Sequence, residues 1–387
     1  MSLKFDTLAV HTGAEPDAET GAVAPPIHLS TTFTHYPQGE KPGAFSYQRD
    51  DNPTQRRLES ALAALEGGAC ALAYASGMAA IAAVLDGLRR GERVVLPEDC
   101  YVGLRAFASE VLPGRGVEVV TIDTTDLDAV RSACAPGLAL LWVESPSNPC
   151  LRVSDIAELA RIAHAQRALC VCDNTFATPV LQQPLQLGAD IVMHSTTKYF
   201  GGHSDVLGGA LVFAHDDARH AAIRQRRLLS GAILSPFSAW LTLRGCRSLP
   251  ARMALHCANA HRVATALAAF QAVARVHYPG LSSHPGHALA ARQMRDFGAM
   301  LSIELRGGYD AAADAVRKVQ IFTNATSLGG CESLIEHRAA AEGEHSQSPP
   351  GLLRLSIGLE DADDLIADLQ QALVDPSVST AASQAAA

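Results

Sequence analysis

The sequence predicts an α/β fold, a mostly parallel sheet interleaved with helices, followed by a smaller α+β domain. Three observations predict it. Short apolar runs alternate with stretches of helical period from Gln55 to about Pro250, as in βα repeats around a parallel sheet. Beyond Pro250 the texture shifts to longer helical and period-two segments, and ahead of Gln55 no period is sustained. The expected organisation is an extended arm over 1–54, an α/β domain over 55–250, an α+β domain over 251–375 and a disordered Ser/Ala-rich tail over 376–387.

The arm is rich in Pro, Gly and Thr, a composition suited to an extended segment that crosses to a neighbouring subunit. Leu58, Leu62 and Leu65 then recur at helical spacing until Gly67-Gly68 ends the helix. The runs Glu92–Leu96, Val117–Ile122, Leu138–Val143, Leu169–Cys172 and Ile191–Met193 read as buried strands. Ser154 is expected to cap a helix with Asp155 in its first turn and Ile156, Leu159, Ala160 and Ala163 on one apolar stripe. In the last domain, Arg252–Phe270 reads as a helix and Leu301–Leu305 alternates. Leu353–Ile357 is a period-two strand with Arg354 and Ser356 on one face and leucines on the other. A final helix carries Leu365, Leu369 and Leu373 on one side, stopped by Asp375-Pro376.

Composition excludes several classes of function. With 48% hydrophobic and 18% charged residues the chain is globular in character, and its length is enough for two cores. A net charge of −9 without a basic run argues against nucleic acid. Apolar runs such as Ala79–Leu85 break well before the length of a membrane span, and Met1–Gly13 shows no export signal, so a cytoplasmic protein is expected. The nine cysteines lack paired spacing; reduced structural thiols and no metal site are expected, with Cys170 and Cys172 on strand positions.

In an open α/β sheet, ligands sit beyond the carboxyl ends of the strands, so the residues just after each run carry the candidate chemistry. Ser76-Gly77-Met78 opens an apolar helix and leaves N–H groups for an anion, although a plain serine cap accounts for it equally. Tyr101 follows the run ending at Leu96 and can stack on a planar ligand or lie at an interface. Asn148 offers an amide after Leu138–Val143, where a proline turn is the alternative. Asp173 ends a buried run and calls for a cationic partner, which an arginine would also satisfy. Lys198 lies just beyond Ile191–Met193, flanked by the hydroxyls of Ser195 and Thr197, which suit phosphate oxygens. Together these ask for a phosphate, an aromatic ring, a ring nitrogen, a phenolic oxygen and an aldehyde, the inventory of pyridoxal 5′-phosphate (PLP). No G-x-G-x-x-G follows the first strand and no G-x-x-x-x-G-K-[ST] occurs.

The segment Asp190 to Ser204 around Lys198 resembles the signature of the cysteine and methionine metabolism (trans-sulfuration) group of fold-type I PLP enzymes. The resemblance extends through Pro25-Pro26-Ile27, Tyr47-Gln48-Arg49, Asn52-Pro53-Thr54, Ala75–Met78, Ser145–Pro149, Asp173-Asn174-Thr175 and Arg354–Gly358, leaving only the tail outside. It implies a seven-stranded, mostly parallel sheet with helices on both faces, and PLP held on Lys198 as a Schiff base. Cofactor contacts would come from Ser76, Gly77, Met78, Tyr101, Asn148, Asp173, Thr175, Ser195 and Thr197. Tyr47 and Arg49 would reach the phosphate of a neighbour's site, giving a homotetramer built from dimers with shared sites. Substrates would be small sulfur amino acids, with Ser327 and Arg354 on the carboxylate, Thr326 nearby, and Tyr101 helping proton transfer at the leaving sulfur. The implied activity is carbon–sulfur cleavage resembling that of cystathionine γ-lyase. Alternatives are γ-replacement on acyl-homoserines, β-lyase or methionine γ-lyase chemistry, and, more remotely, a PLP-binding protein without catalysis. Three departures stand out: Val102-Gly103-Leu104 after Tyr101, Thr326 where many γ-lyases and γ-synthases have glutamate, and a short polar loop from His337 to Gly351.

Overall fold

Successive residues of each central strand pack into opposite apolar layers, which is what a sheet covered on both faces requires. Leu140, Trp142, Val171, Ile191 and Met193 join Ala80, Ile81, Val84 and Leu85 in one layer. Leu141, Val143, Cys170 and Cys172 join Ile156, Leu159, Ala160 and Ala163 in the other. The computed structural model describes residues 3–134, 137–343 and 346–373. It contains two units: residues through Ser147 with Ser154–Ala251, and Asn148–Val153 with the chain from Arg252 onward.

The first unit holds a seven-stranded sheet of β1 (Cys70–Tyr74), β2 (Arg93–Pro97), β3 (Glu118–Ile122), β4 (Leu138–Glu144), β5 (Leu169–Asp173), β6 (Ile191–His194) and β7 (Gly209–Phe213). Their order is β1-β7-β6-β5-β4-β2-β3, and β7 runs antiparallel to both of its neighbours while the others are parallel. This is the α/β fold with helices on both faces that was expected. The edge-side pair β1 and β7 had no counterpart among the predicted strands. Cys-Ala-Leu-Ala-Tyr and Gly-Ala-Leu-Val-Phe carry small residues that mark a helix as readily as a strand.

The helix Pro53–Glu66 shows how local signals set the boundaries. Asn52 caps it by accepting from the Thr54 and Gln55 N–H groups, Pro53 fills the first turn, and Gly67 ends it at φ 70°. The arm is less uniform than its composition suggests: Phe5–His11 is helical. Farther along, the Asn52 amide donates to the His28 carbonyl at 2.8 Å and the Thr54 hydroxyl accepts the His28 N–H at 2.9 Å. Ser154 does not cap its helix. Asp155 does, accepting from Glu158 N, because Ser154 is already bonded to the Thr124 hydroxyl and Ser145.

The second unit holds β8 (Val273–His277), β9 (Met300–Leu305), β10 (Thr323–Asn324), β11 (Leu334–His337) and β12 (Leu352–Ser356), in the order β10-β11-β12-β9-β8. The pairings are antiparallel except β10 with β11. Every residue of β12 is buried, so Arg354 does not lie on a solvated strand face. The segment read as a polar loop from His337 begins with a short helix, Arg338–Glu342. The segment 148–153, expected within the α/β domain, belongs to this second unit, where Pro149 O accepts from the buried Ser302 hydroxyl at 2.7 Å. The last helix, Ala362–Leu373, buries Leu365 and Leu369. The Asp375-Pro376 stop and the tail lie outside the described residues. Among the described residues all nine cysteines are free thiols, and no helix is long and apolar enough to cross a membrane.

Asn52 both caps a helix and anchors the arm, so its two functions separate by substitution. Asn52→Ala should cost about 1–2 kcal/mol through the lost cap, whereas Asn52→Ser keeps a capping oxygen and loses the amide donor to His28. Thermal melts of the two variants check this: Ser should fall between wild type and Ala.

Candidate active site

The carboxyl ends of β5 and β6 bring together most of the first unit's expected site residues. Asp173 is the last residue of β5 and is buried. Its Oδ1 accepts the Thr175 N–H at 2.9 Å, and the Thr175 hydroxyl in turn accepts the Ser195 N–H at 2.9 Å just beyond β6. Ser195 packs against the start of the helix Gly77–Leu85: a Cβ placed on Gly77 would lie 3.1 Å from the Ser195 hydroxyl. Lys198 follows in a tight turn, its N–H donating to Ser195 O at 3.2 Å, and is half-buried.

Burial raises the Asp173 carboxyl above its ordinary range, against hydrogen bonds from Thr175 and the field of His194. No lysine or arginine among the described residues pairs with it. Behind it lies a buried hydrogen-bonded pair that the sequence did not reveal. His194 Nε2 meets Glu66 Oε1 at 2.5 Å, and the same oxygen accepts from the Asn174 amide at 2.9 Å. The only sequence signal was an acidic residue ending a helix at Gly67 and a histidine inside an apolar strand.

At the helix start Ser76 caps Ala79 N at 3.1 Å, as the simpler reading held, yet this leaves the Gly77 and Met78 N–H groups without an acceptor among the described residues. Ser76 is thus a cap and an anion cradle remains beside it. Thr197 is engaged within its own loop. Its hydroxyl donates to Gly208 O and accepts Gly208 N, both at 3.1 Å, and so closes the loop after Lys198. Tyr101 is exposed, with its N–H on the buried Glu144 carboxylate at 2.9 Å, and its ring shares the surroundings of Gly103 with Met78. Tyr47 and Arg49 are exposed together, with the guanidinium 5.5 Å from the tyrosine ring centroid and donating to Leu228 O at 3.1 Å.

The remaining candidates lie in the second unit. Arg354 is buried and spreads its guanidinium over three acceptors: Asn148 Oδ1 at 3.1 Å, Ser327 O at 3.2 Å and Glu336 Oε2 at 2.7 Å. Ser327 sits at φ 84°, a strained left-handed conformation for a residue with a side chain. Thr326 is exposed and lines a cavity of about 450 Å³ with Tyr309, Asn324, Glu336 and His337.

A family model for Cys/Met metabolism PLP-dependent enzymes matches residues 6–374. The chain belongs to that family. Cystathionine γ-synthase of Mycobacterium tuberculosis is 48% identical over 373 residues, covering 95% of this chain and 96% of that protein. Cystathionine β-lyase of Coxiella burnetii is 42% identical, covering 95% and 97%. The crystal structure of cystathionine γ-synthase from Xanthomonas oryzae pv. oryzae in complex with cystathionine superposes with a TM-score of 0.93 at 43% identity, covering 96% of this chain and 98% of that one.

The family is PLP-dependent, and the residues present fit the cofactor. Asp173 is a buried acid awaiting a cation, as a pyridinium nitrogen supplies, and the Gly77 and Met78 N–H groups await an anion, as a phosphate supplies. Lys198→Ala should abolish turnover while leaving the fold intact and PLP bound noncovalently. Activity assays, melting curves and cofactor absorbance after dialysis check this; normal activity would rule out Lys198 as the essential amine.

Proposed function

We propose that this PLP enzyme is a carbon–sulfur lyase of broad specificity, resembling cystathionine γ-lyase. It would take cystathionine, cysteine and homocysteine and release thiol or hydrogen sulfide, ammonia and a 2-oxo acid. The observation that carries this reading is Thr326. Where many γ-lyases and γ-synthases carry a glutamate able to pair with a distal ammonium, this chain offers a neutral, exposed hydroxyl. A charge-assisted hydrogen bond is about twice as strong as a neutral one, so its loss weakens cystathionine more than small thiol amino acids.

Bound PLP supplies the electron sink that stabilises negative charge at the amino acid's Cα. The protein's own groups do the rest. Asp173 would keep a proton on the cofactor's ring nitrogen, and the Lys198 amine would be the base for the Cα proton. Ser327 and Arg354 hold the α-carboxylate, and Tyr101 moves a proton at the departing sulfur. Ser195 and the N–H groups of Gly77 and Met78 would hold the phosphate, joined by Tyr47 and Arg49 of a neighbouring copy in a homotetramer of dimers. Arginine suits that task because its planar fork meets phosphate oxygens in pairs.

A second reading, γ-replacement on an acyl-homoserine, is favoured by the 48% identity to a cystathionine γ-synthase over nearly the whole chain. Elimination and replacement share every step up to departure of the leaving group, and differ in whether a second nucleophile is held. A product screen over cystathionine, cysteine, homocysteine and acyl-homoserines, with and without added thiol, separates them. Dominant condensation would establish the synthase.

Two variants extend the test. Thr326→Glu should raise the kcat/KM ratio of cystathionine over cysteine; an unchanged ratio means that Thr326 does not meet the distal group. Arg49→Ala should weaken PLP binding, and mixing it with Lys198→Ala should regain activity in hybrid oligomers, because one mixed site then has both residues intact. No regain would refute shared sites.

A further inference from the structure

The second unit contains a buried chain of alternating charges that ends on Arg354. Cross-strand pairing sets it up: Glu336 of β11 stands directly opposite Arg354 of β12. Glu336 Oε2 accepts from Arg354 Nη2 at 2.7 Å and from Arg338 Nη1 at 2.6 Å. Arg338 Nη2 then reaches Glu342 at 2.6 Å, across one turn of the short helix. All four side chains are at least nine-tenths buried, with relative exposures of 5–9%. Burial lowers the Arg338 guanidinium's hold on its proton, but Glu336 and Glu342 outweigh it. Burial likewise raises the Glu342 carboxyl, yet hydrogen bonds from Ser346, Arg338 and Ser348 keep it below its ordinary value. Arg338 and Glu342 therefore both hold their charge.

A guanidinium paired with one carboxylate of its own is a neutral unit and a poor receptor for a second carboxylate. Here the partner carboxylate is shared, drawn toward Arg338 from the other side. We propose that Arg338 is a positioning residue that sets substrate affinity: by taking a share of Glu336 it leaves Arg354 oriented and cationic enough to receive the α-carboxylate of an amino acid. This rests on the reading that Arg354 holds that carboxylate.

L-Alanine and ethylamine differ only by the carboxylate, so their dissociation constants, read from cofactor absorbance of the holoenzyme, isolate the contact. Arg338→Met should lower the preference for alanine roughly tenfold, the scale of one charged hydrogen bond, because two buried carboxylates then face one guanidinium. Adding Glu336→Gln to Arg338→Met should restore most of the preference by removing the surplus negative charge. Simple structural damage would instead deepen with the second substitution. Arg338→Lys, which keeps the charge but cannot fork to both carboxylates, should fall between and decides the matter if Arg338→Met does not fold. An unchanged preference in Arg338→Met, or in Arg338→Lys where Met does not fold, overturns the proposal, as does a double variant that fails to recover. Arg354→Met is the control: if it keeps the alanine preference, the carboxylate reading itself is wrong. If it loses the preference while the Arg338 variants keep it, only the present inference falls.

Discussion

A carboxylate at the end of a buried strand, with no lysine or arginine among the described residues to meet it, constrains the surrounding part of the first unit. Asp173 is costly where it stands, since burial favours its neutral form and the two hydrogen-bond links through Thr175 recover only part of the loss. The fold encloses it between paired strands and backs it with polar groups. β5 is flanked by β4 and β6 in parallel register, and Glu66, His194 and Asn174 form a buried polar layer behind it. The same links that hold Asp173 hold Ser195, and through Ser195 the helix start at Gly77. One acidic residue thus ties the position of an anion cradle to the position of a cation seat. PLP, with a phosphate at one end and a basic nitrogen in its ring, complements that pair.

The second unit solves the converse problem, a buried cation. Transfer of a guanidinium out of water is expensive, and the return from a single ion pair often does not cover it. Arg354 instead distributes its donors over an amide oxygen, a backbone carbonyl and a shared carboxylate. The strained backbone at Ser327 belongs to this arrangement, since its carbonyl is one of the three acceptors. Cross-strand register fixes the distance between Arg354 and Glu336, so the geometry depends on the sheet and not on a mobile loop.

Much of the first unit was legible because covered strands declare themselves as continuous apolar runs, and the residues just beyond them are few. That reading pointed to Asp173, Ser195 and Lys198, while the helix ended by Gly67 showed in the spacing of Leu58, Leu62 and Leu65. β1 and β7 were hidden by small residues, and the Ser154 cap was misassigned because Thr124, in the turn after β3, had already claimed its hydroxyl. Contacts across long sequence separations left the least trace: Glu66 and His194 are 128 residues apart and share no motif. Arg338 and Glu342 looked like solvated loop residues, since a charged stretch reads as polar until the strand register buries it. The family resemblance located Arg354, but nothing in the local pattern indicated the company it keeps.

The excursion of residues 148–153 into the second unit gives the molecule an order of assembly. The strands on either side, β4 and β5, belong to the first sheet, yet Asn148 finds its arginine 206 residues later in the chain. During synthesis at about 5–20 residues per second, that partner emerges on the order of 10–40 s after Asn148 does. The first sheet has its strands long before this six-residue stitch can close. A fragment cut at the apparent boundary, before Arg252, would lack the stitch and leave the buried faces of Ser302 and Arg354 without acceptors they use in the intact chain. The second unit is therefore not continuous in sequence, and a gene encoding the chain from Arg252 onward alone would specify an incomplete core.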